Sequence, residues 1–497
     1  VRLDTLLQGI DVLETAGDAT VEITSVETDS RNVVQGTLFV CVEGGRLDGH
    51  IFVETAAAAG ARAVVCSRPI EVPNGVTRVL VTDPLRTLSS LASAFQGHPD
   101  RALTIVGITG TNGKTTTTHL LESVLKTAGY RTGLIGTVGY RIGGKELPAP
   151  FTTPLAHSLH AILRQMVDAA VETVVMEVSS HALSLARVED CSFAVAGFTN
   201  LSQDHLDFHG DMAEYYEAKR RLFSLLDRSC GVPVINIDDP YGQRLATDLN
   251  AFPGLITLSA EPSGEAVIKA SAVEVGQEKT SFILTGPEGS RKVSLGLEGR
   301  FNVLNALVAA GAALALKVSL DHIITGLEAV QGVPGRFESF QAGGLTVIVD
   351  YAHTPAGLEN VLSEVRKITE GQIITVFGCG GDRDTTKRPR MGEIGWRLSD
   401  RIILTNDNPR TENPSGIIDD ILSGIKKQSG TMERTVIEPD RAAAIEIAIA
   451  AARPGDTVIV AGKGHEDYQI FRDQTIHFDD REVVRSVLKR LEGAGGR

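Results

Sequence analysis

Cysteine is scarce in this 497-residue chain: Cys41, Cys66, Cys191, Cys230 and Cys379 are odd in number, widely spaced and without any paired metal-ligand spacing. A disulfide framework and a cysteine-built metal site are thereby excluded, and a reduced chain is the simplest reading. Basic residues are short as well. Lys and Arg total 48 against 62 Asp and Glu, a formal charge of −14, and a field of that sign argues against wrapping nucleic acid or coating anionic membranes. An anionic ligand would need a local basic pocket. Long apolar runs are missing too: the longest, around residues 306–316, is too short to span a bilayer, and Val1-Arg2-Leu3-Asp4 is not a charged-then-apolar export signal. A cytoplasmic chain with no nucleic-acid or membrane partner is therefore expected, and a monomer is the expected state. No internal repeat or low-complexity segment is present.

What is present is ordinary globular composition, 42% hydrophobic and 22% charged, with 51 glycines against a usual share of ~7%. At roughly 150 residues per domain the length allows about three domains. Residues 1–99 alternate short β-rich runs (37–42, 63–66) with an alanine-rich helix candidate (53–60), the mark of a small α/β domain. After Gly97-His98-Pro99-Asp100 comes a buried strand at 103–108, a Gly-rich turn and a helix at 115–127. Further strands at 173–176 and 194–198 and a helix at 302–316 make a central domain, 100–332, with a mostly parallel sheet. Residues 330–335 read as a linker. Beyond it, strands at 346–349, 373–377, 401–404 and 457–461 with helical stretches between them predict a Rossmann-like domain, 333–497.

The sharpest local signal is Gly107-Ile108-Thr109-Gly110-Thr111-Asn112-Gly113-Lys114-Thr115-Thr116 between a strand and a helix. Glycines let backbone N–H groups close around phosphate, Lys114 can reach the outer phosphates, and the Thr115 hydroxyl can hold Mg²⁺. It departs from the common P-loop spacing, since Gly107 lies one residue too far upstream. Glu177 ends an apolar strand, where its carboxylate should emerge at the carboxyl edge of the sheet and suit Mg²⁺. Asp204-His205-Leu206-Asp207 groups polar residues in a loop after another strand. There a structural role and a metal or phosphate role both stay open.

The next helix, 211–226, carries an anomaly. Met212, Tyr215, Tyr216, Leu222, Phe223 and Leu226 recur at helical spacing, and Lys219 falls on the same face. Its stem could snorkel over the core and expose the ammonium. Alternatively, desolvation lowers its pKa and frees a neutral amine that takes up CO₂, giving a carbamate able to ligate a metal.

Together the Gly-Thr-Asn-Gly-Lys-Thr loop, Met176-Glu177-Val178-Ser179-Ser180-His181, the Asp204-His205-Leu206-Asp207 loop and Tyr215 to Lys219 resemble the Mur ligases over essentially the whole chain. That resemblance implies a central P-loop-type ATPase domain flanked by a small N-terminal domain for a UDP-sugar and a C-terminal amino-acid domain. It implies a nucleotide site of Gly110, Thr111, Asn112, Gly113, Lys114, Thr115, Thr116, Asn302, Arg336 and Asp350. Ser30, Gly45, Arg46, Thr152, Thr153, Ser179 and Arg187 would touch the UDP-sugar peptide, although Leu185 stands where relatives often carry a glutamine. Thr115, Glu177, His205 and Lys219, the last as N6-carboxylysine, would hold Mg²⁺, and Lys114 would act with Glu177, His205 and Lys219 in catalysis.

Three segments follow strands of the last domain: Gly378-Cys379-Gly380-Gly381-Asp382-Arg383-Asp384, Asp407-Asn408-Pro409-Arg410 and Gly462-Lys463-Gly464-His465-Glu466. All leave one sheet edge, so Arg383, Asp407, Asn408, Pro409, Arg410, Gly462 and Glu466 can converge on a zwitterionic amino acid with an extra carboxylate. The branch of the family this resembles joins meso-2,6-diaminopimelate to UDP-N-acetylmuramoyl-L-alanyl-D-glutamate, with ATP as co-substrate and an acyl-phosphate intermediate. A lysine-adding relative, a folylpolyglutamate synthetase and a non-enzymatic ATP-switched module are the alternatives.

Overall fold

The computed structural model describes residues 1–44, 47–262, 264–276, 279–429 and 432–495. They gather into two units: Val1–Thr109, Gly129–Gly197 and Ala218–Pro233 form the first, and Gly110–Ala128, Phe198–Glu217 and Val234–Arg497 the second. The fold is α/β with mostly parallel sheets, as expected.

In the first unit a five-stranded sheet runs in the order Val12–Ala16, Thr77–Val81, Ala63–Cys66, Thr37–Val40, Ser25–Glu27, parallel except at its Val12–Ala16 edge. The period-2 alternation of strands decides its two cores. Leu38, Val40, Val65, Val79 and Val81 pack with Leu88 and Leu91 of the helix Pro84–Phe95, while Phe39, Cys41, Val64 and Cys66 meet Val53 and Ala56 of Val53–Ala59. Asp83 starts the longer helix by accepting from the N–H groups of Leu85 and Arg86, and Gly60 at φ +116° stops the shorter one. The same unit carries Thr173–Glu177 between Thr104–Thr109 and Thr132–Ile135, all parallel. A hairpin, Tyr140–Ile142 with Lys145–Leu147, extends it in antiparallel fashion.

Val232–Asn236, Ile256–Ser259 and Ile268–Val275 pair in parallel, and Thr280–Gly286 and Gly289–Leu295 add two antiparallel strands; the sequence pattern anticipated none of these five. The helix Arg300–Ala315 is buried along most of its length and packs on Lys114–Thr127. The C-terminal sheet runs Glu338–Ala342, Leu345–Asp350, Thr457–Ala461, Ile373–Phe377, Arg401–Leu404, Thr435–Ile437, parallel beyond its first strand. Ile348, Ile373, Phe377 and Ile459 face one core and Val347, Val349, Val376 and Val460 the other. A parallel sheet covered on both faces reads as continuous apolar strands for that reason. Among the described residues no helix is long and apolar enough to cross a membrane.

Candidate functional site

The Gly-rich loop of the second unit is shaped by two glycines no other residue could replace without movement. At Gly113 (φ +86°) a Cβ would lie 2.1 Å from Asn305 Oδ1, and at Gly110 (φ +143°) 1.9 Å from Thr199 Oγ1. The Asn112 N–H donates to Asn200 Oδ1 at 3.0 Å, and Thr199 Oγ1 donates to the Asn112 carbonyl at 2.6 Å, so the loop is held from a neighbouring strand end. Lys114 Nζ folds back on the carbonyls of Gly110 and Thr111, each at 2.9 Å. Arg336, stacked 4.4 Å over the Tyr351 ring, donates to Thr115 Oγ1 at 2.9 Å. Two cations thus stand at the loop of a chain whose net charge is negative, which is the local basic pocket an anion requires.

Beside this loop lies a cavity of about 300 Å³ lined by Asn112, Gly113, Thr116, Asp238, Asp239, Phe301, Asn305, Arg336, Asp350 and Tyr351 among others. Burial pushes the Asp350 carboxyl up against the opposing pull of Arg336, and it accepts from the Phe337 N–H at 2.7 Å. Asn302 does not line the cavity. It is 3% exposed and bound to the Glu298 carbonyl and to Asn305, which faces the space instead. Helical periodicity explains this, because positions three apart on Arg300–Ala315 share a face but differ in depth.

His205 adopts a left-handed backbone (φ +55°), and its Nε2 lies 3.2 Å from the buried Asp204 carboxylate. His353 and Lys387 flank that carboxylate at 3.8 and 3.9 Å. Burial raises Asp204, yet His205, Lys387 and His353 outweigh it and hold the carboxyl at about 2.

In the first unit Glu177 is 1% exposed. Its carboxylate accepts from the Thr137 N–H at 2.8 Å and the Thr137 hydroxyl at 2.9 Å, and that hydroxyl lies 3.1 Å from Thr152 Oγ1. Thr153 donates to the Glu177 carbonyl at 2.8 Å and accepts from the Ser179 N–H, while Arg187 donates to the Thr153 carbonyl at 2.9 Å. Arg187 stacks 5.1 Å from the Phe151 ring centroid, and burial lowers its pKa. Thr152, Thr153, Ser179 and Arg187 are thus brought together with Glu177. Lys219 is 1% exposed, so it does not snorkel. Ser30 opens a short 3₁₀ turn capped by Asp29. Gly45 and Arg46 lie outside the described residues. Of the expected Mg²⁺ ligands, Glu177 and Lys219 belong to the first unit and Thr115 and His205 to the second. Carboxylate and hydroxyl are hard oxygen donors of the kind Mg²⁺ prefers and imidazole is a further donor, whereas Lys219 would join them only as a carbamate.

The C-terminal loops also meet. A Cβ at Gly381 would stand 1.9 Å from the Pro409 carbonyl, and one at Gly462 2.5 Å from Asp407 Oδ2. Arg410, itself left-handed at φ +54°, donates to the Gly381 carbonyl at 2.8 Å. Arg383 has its pKa lowered by burial and by Arg410, a guanidinium pair that invites an anion. Asn408 Nδ2 donates to Glu466 at 2.8 Å, and Gln469 holds the Asp407 carbonyl. Sequence reasoning missed Thr137 and Lys463. For Thr137 no sequence signal exists, whereas a lysine between two glycines directly after an apolar strand could have marked Lys463.

Comparison with known proteins gives three consecutive family matches: "Mur ligase family, catalytic domain" at residues 22–96, "Mur ligase middle domain" at 108–313 and "Mur ligase, glutamate ligase domain" at 335–464. A Geobacter metallireducens protein described as UDP-N-acetylmuramoyl-L-alanyl-D-glutamate–2,6-diaminopimelate ligase is 45% identical, with 100% of each chain covered. A Gloeobacter violaceus protein of the same description is 46% identical over 97% of each. A solved structure of a ligase so described aligns with TM-score 0.68 and 31% identity over 99% of both chains.

Proposed function

The chain belongs to the Mur ligase family, and on that premise we propose that three segments divide one ligation among them. Residues 1–99 hold the uridine end of the sugar nucleotide, 100–332 turn over ATP, and 333–497 select the amino acid. The protein is an ATP-dependent ligase of peptidoglycan synthesis that adds meso-2,6-diaminopimelate to UDP-N-acetylmuramoyl-L-alanyl-D-glutamate. The observation that carries this reading is full-length identity to relatives of that description, joined to a C-terminal cluster of Arg383, Arg410, Asn408 and Glu466.

The chemistry begins with the glutamyl carboxylate attacking the γ-phosphorus of ATP, which releases ADP and leaves an acyl phosphate. Lys114, Arg336 and the loop amides from Gly110 to Thr116 hold the phosphates against the repulsion of two approaching anions. Thr115, Glu177, His205 and Lys219 as a carbamate would hold Mg²⁺, which when bound neutralises phosphate charge. The carbamate would form when a neutral Lys219 amine adds CO₂ and loses one proton, and the side chain's burial keeps that amine out of bulk water. Thr152, Thr153, Ser179 and Arg187 orient the substrate peptide. The diaminopimelate amine then attacks the acyl carbon, and phosphate leaves from the tetrahedral intermediate. Arg410 and Arg383 receive carboxylate, and Asp407 and Glu466 receive ammonium, with Asn408 holding Glu466 in place.

Phosphate release over a panel of amino acids tests the reading. Release should require both the UDP-dipeptide and meso-diaminopimelate; release without either, or with a folate in their place, would overturn it.

A further inference from the structure

Lys463 is an interior cation with no part in the reaction as described. It lies two residues beyond the strand Thr457–Ala461, between Gly462 and Gly464, both at positive φ, and is 0% exposed. Its Nζ donates to Glu466 Oε2 at 3.0 Å and to Asn408 Oδ1 at 3.2 Å, and stands 5.3 Å from the centroid of the Tyr468 ring. Asn408 completes the circuit. Its Nδ2 donates to the same Glu466 oxygen at 2.8 Å, while its Oδ1 also accepts from the Ile470 N–H at 3.0 Å.

The pair is asymmetric in depth: the Lys463 side chain has no exposure and that of Glu466 keeps 14%. The carboxylate is therefore the outward end. Burying an ammonium so completely is unfavourable unless a fixed anion answers it, and an apolar residue of similar volume would pack there without that cost. Charge at this position makes sense if the carboxylate must stay an anion. Burial and the neighbouring Asp407 both push the Glu466 carboxyl above its ordinary range, and Lys463 and Asn408 pull it back. Tyr351, whose hydroxyl lies 3.4 Å from Glu466 Oε1, Tyr468 and the buried Arg441 complete its charged and titratable surroundings.

We propose that Lys463 is a positioning residue for amino-acid selection: its buried charge and its bond to Asn408 pin Glu466 outward as the anion that receives the far ammonium of diaminopimelate. This rests on the assignment of the C-terminal cluster to the amino acid. It extends that assignment to a residue outside the cluster's ligand set and gives the far end of the substrate two partners. Its ammonium meets Glu466, and its carboxylate meets the guanidiniums. Losing a charge-assisted partner of this kind weakens binding by about 10–100-fold.

The test uses full-length protein carrying Lys463→Met, Lys463→Gln or Lys463→Arg, with the KM of each of the three substrates measured. In the Met and Gln variants KM for meso-diaminopimelate should rise by about 10–100-fold, while KM for ATP and for the UDP-dipeptide stays within about twofold. The acid limb of kcat/KM for diaminopimelate should move to higher pH in both and return in Lys463→Arg. The unmodified protein supplies an arm that no folding defect can touch. It should discriminate by about 10–100-fold against 2-aminopimelate, which lacks the far ammonium, and the discrimination should shrink as pH falls through that limb. Any one of three results overturns the proposal: an unchanged KM and acid limb in folded Lys463→Gln, an equal rise in all three KM values, or no discrimination against 2-aminopimelate. Failure of the underlying function would look different, as absence of diaminopimelate-dependent phosphate release from the unmodified protein.

Discussion

Lys219 shares its helix face with Tyr215, Tyr216, Leu222 and Phe223, each no more than 3% exposed, so its amine has been taken out of bulk water. As a carbamate, so buried an amine would become an anion able to serve as a metal ligand, the role proposed for it. Lys219→Ala should accordingly abolish ligation while ATP binding stays measurable, and added formate should restore part of the activity by supplying the missing carboxylate. Turnover like the unmodified protein's without any additive would contradict the role. Thr137 makes a complementary case. It gives Glu177 two donors, but only its hydroxyl belongs to the side chain. Thr137→Val keeps the shape and the N–H while removing one bond, and a hydrogen bond to a charged group is worth about 1.5–3 kcal/mol. The expected result is an Mn²⁺ dissociation constant raised by about tenfold or more, read by electron paramagnetic resonance. Thr137→Ser should recover most of it; equal affinity in all three proteins would place Glu177 away from the metal.

Elements differ in how plainly the sequence announces them. Strands such as Ile373–Phe377, Arg401–Leu404 and Thr457–Ala461 coincide with their apolar runs because both sheet faces are covered. The strands Ile268–Val275 and Gly289–Leu295 were illegible, since long stretches of each are exposed and carry polar residues with no apolar period to read. The Gly-rich loops were legible because phosphate and close backbone approach demand glycine. Thr137 and Lys463 were not, because their roles depend on partners 40 and 55 residues away, Glu177 and Asn408. Helix Ala156–Asp168 hides a further feature that spacing alone cannot reveal. His160, 0% exposed, has neither ring nitrogen hydrogen-bonded among the described residues, and burial depresses its pKa from 6.5 to about 4. Between those values the unfolded chain binds more protons than the folded one, so stability is present above about 6.5 and is lost as pH falls towards 4. The share of this one group is about 3 kcal/mol. Urea unfolding of His160→Leu should show a shallower decline over that window than the unmodified protein; parallel declines would mean that the ring finds a partner when protonated.

At the scale of the whole molecule, a chain of net charge −14 must bind anionic groups: the phosphates of a nucleoside triphosphate and of a nucleotide sugar, and the two carboxylates of a zwitterionic amino acid. Its general field opposes their approach, so recognition rests on local reversals of sign, Lys114 with Arg336 at the Gly-rich loop and Arg383 with Arg410 in the C-terminal loops. The second reversal should decide which amino acid is accepted. Diaminopimelate and lysine have similar carbon chains, but only the former ends in a second carboxylate. Arg410 already gives one nitrogen to the Gly381 carbonyl, which fixes the guanidinium plane before any ligand arrives, and Arg383 adds a second cation nearby. With lysine that pair would be left without its anion while another cation sits close by. Sites built around a charged hydrogen-bonding partner reject analogues lacking it by about 10⁴ or more, whereas a missing methylene gives about 10–200-fold. We expect kcat/KM to favour meso-diaminopimelate over L-lysine on the larger scale, and Arg410→Ala to erase most of the preference. Because Lys114 belongs to the earlier half-reaction, Arg410→Ala should still form the acyl phosphate, trapped by borohydride reduction, while Lys114→Ala should not. Comparable kcat/KM values for the two amino acids in the unmodified protein would refute the assignment of the guanidinium pair and leave a lysine-adding ligase as the better description of this chain.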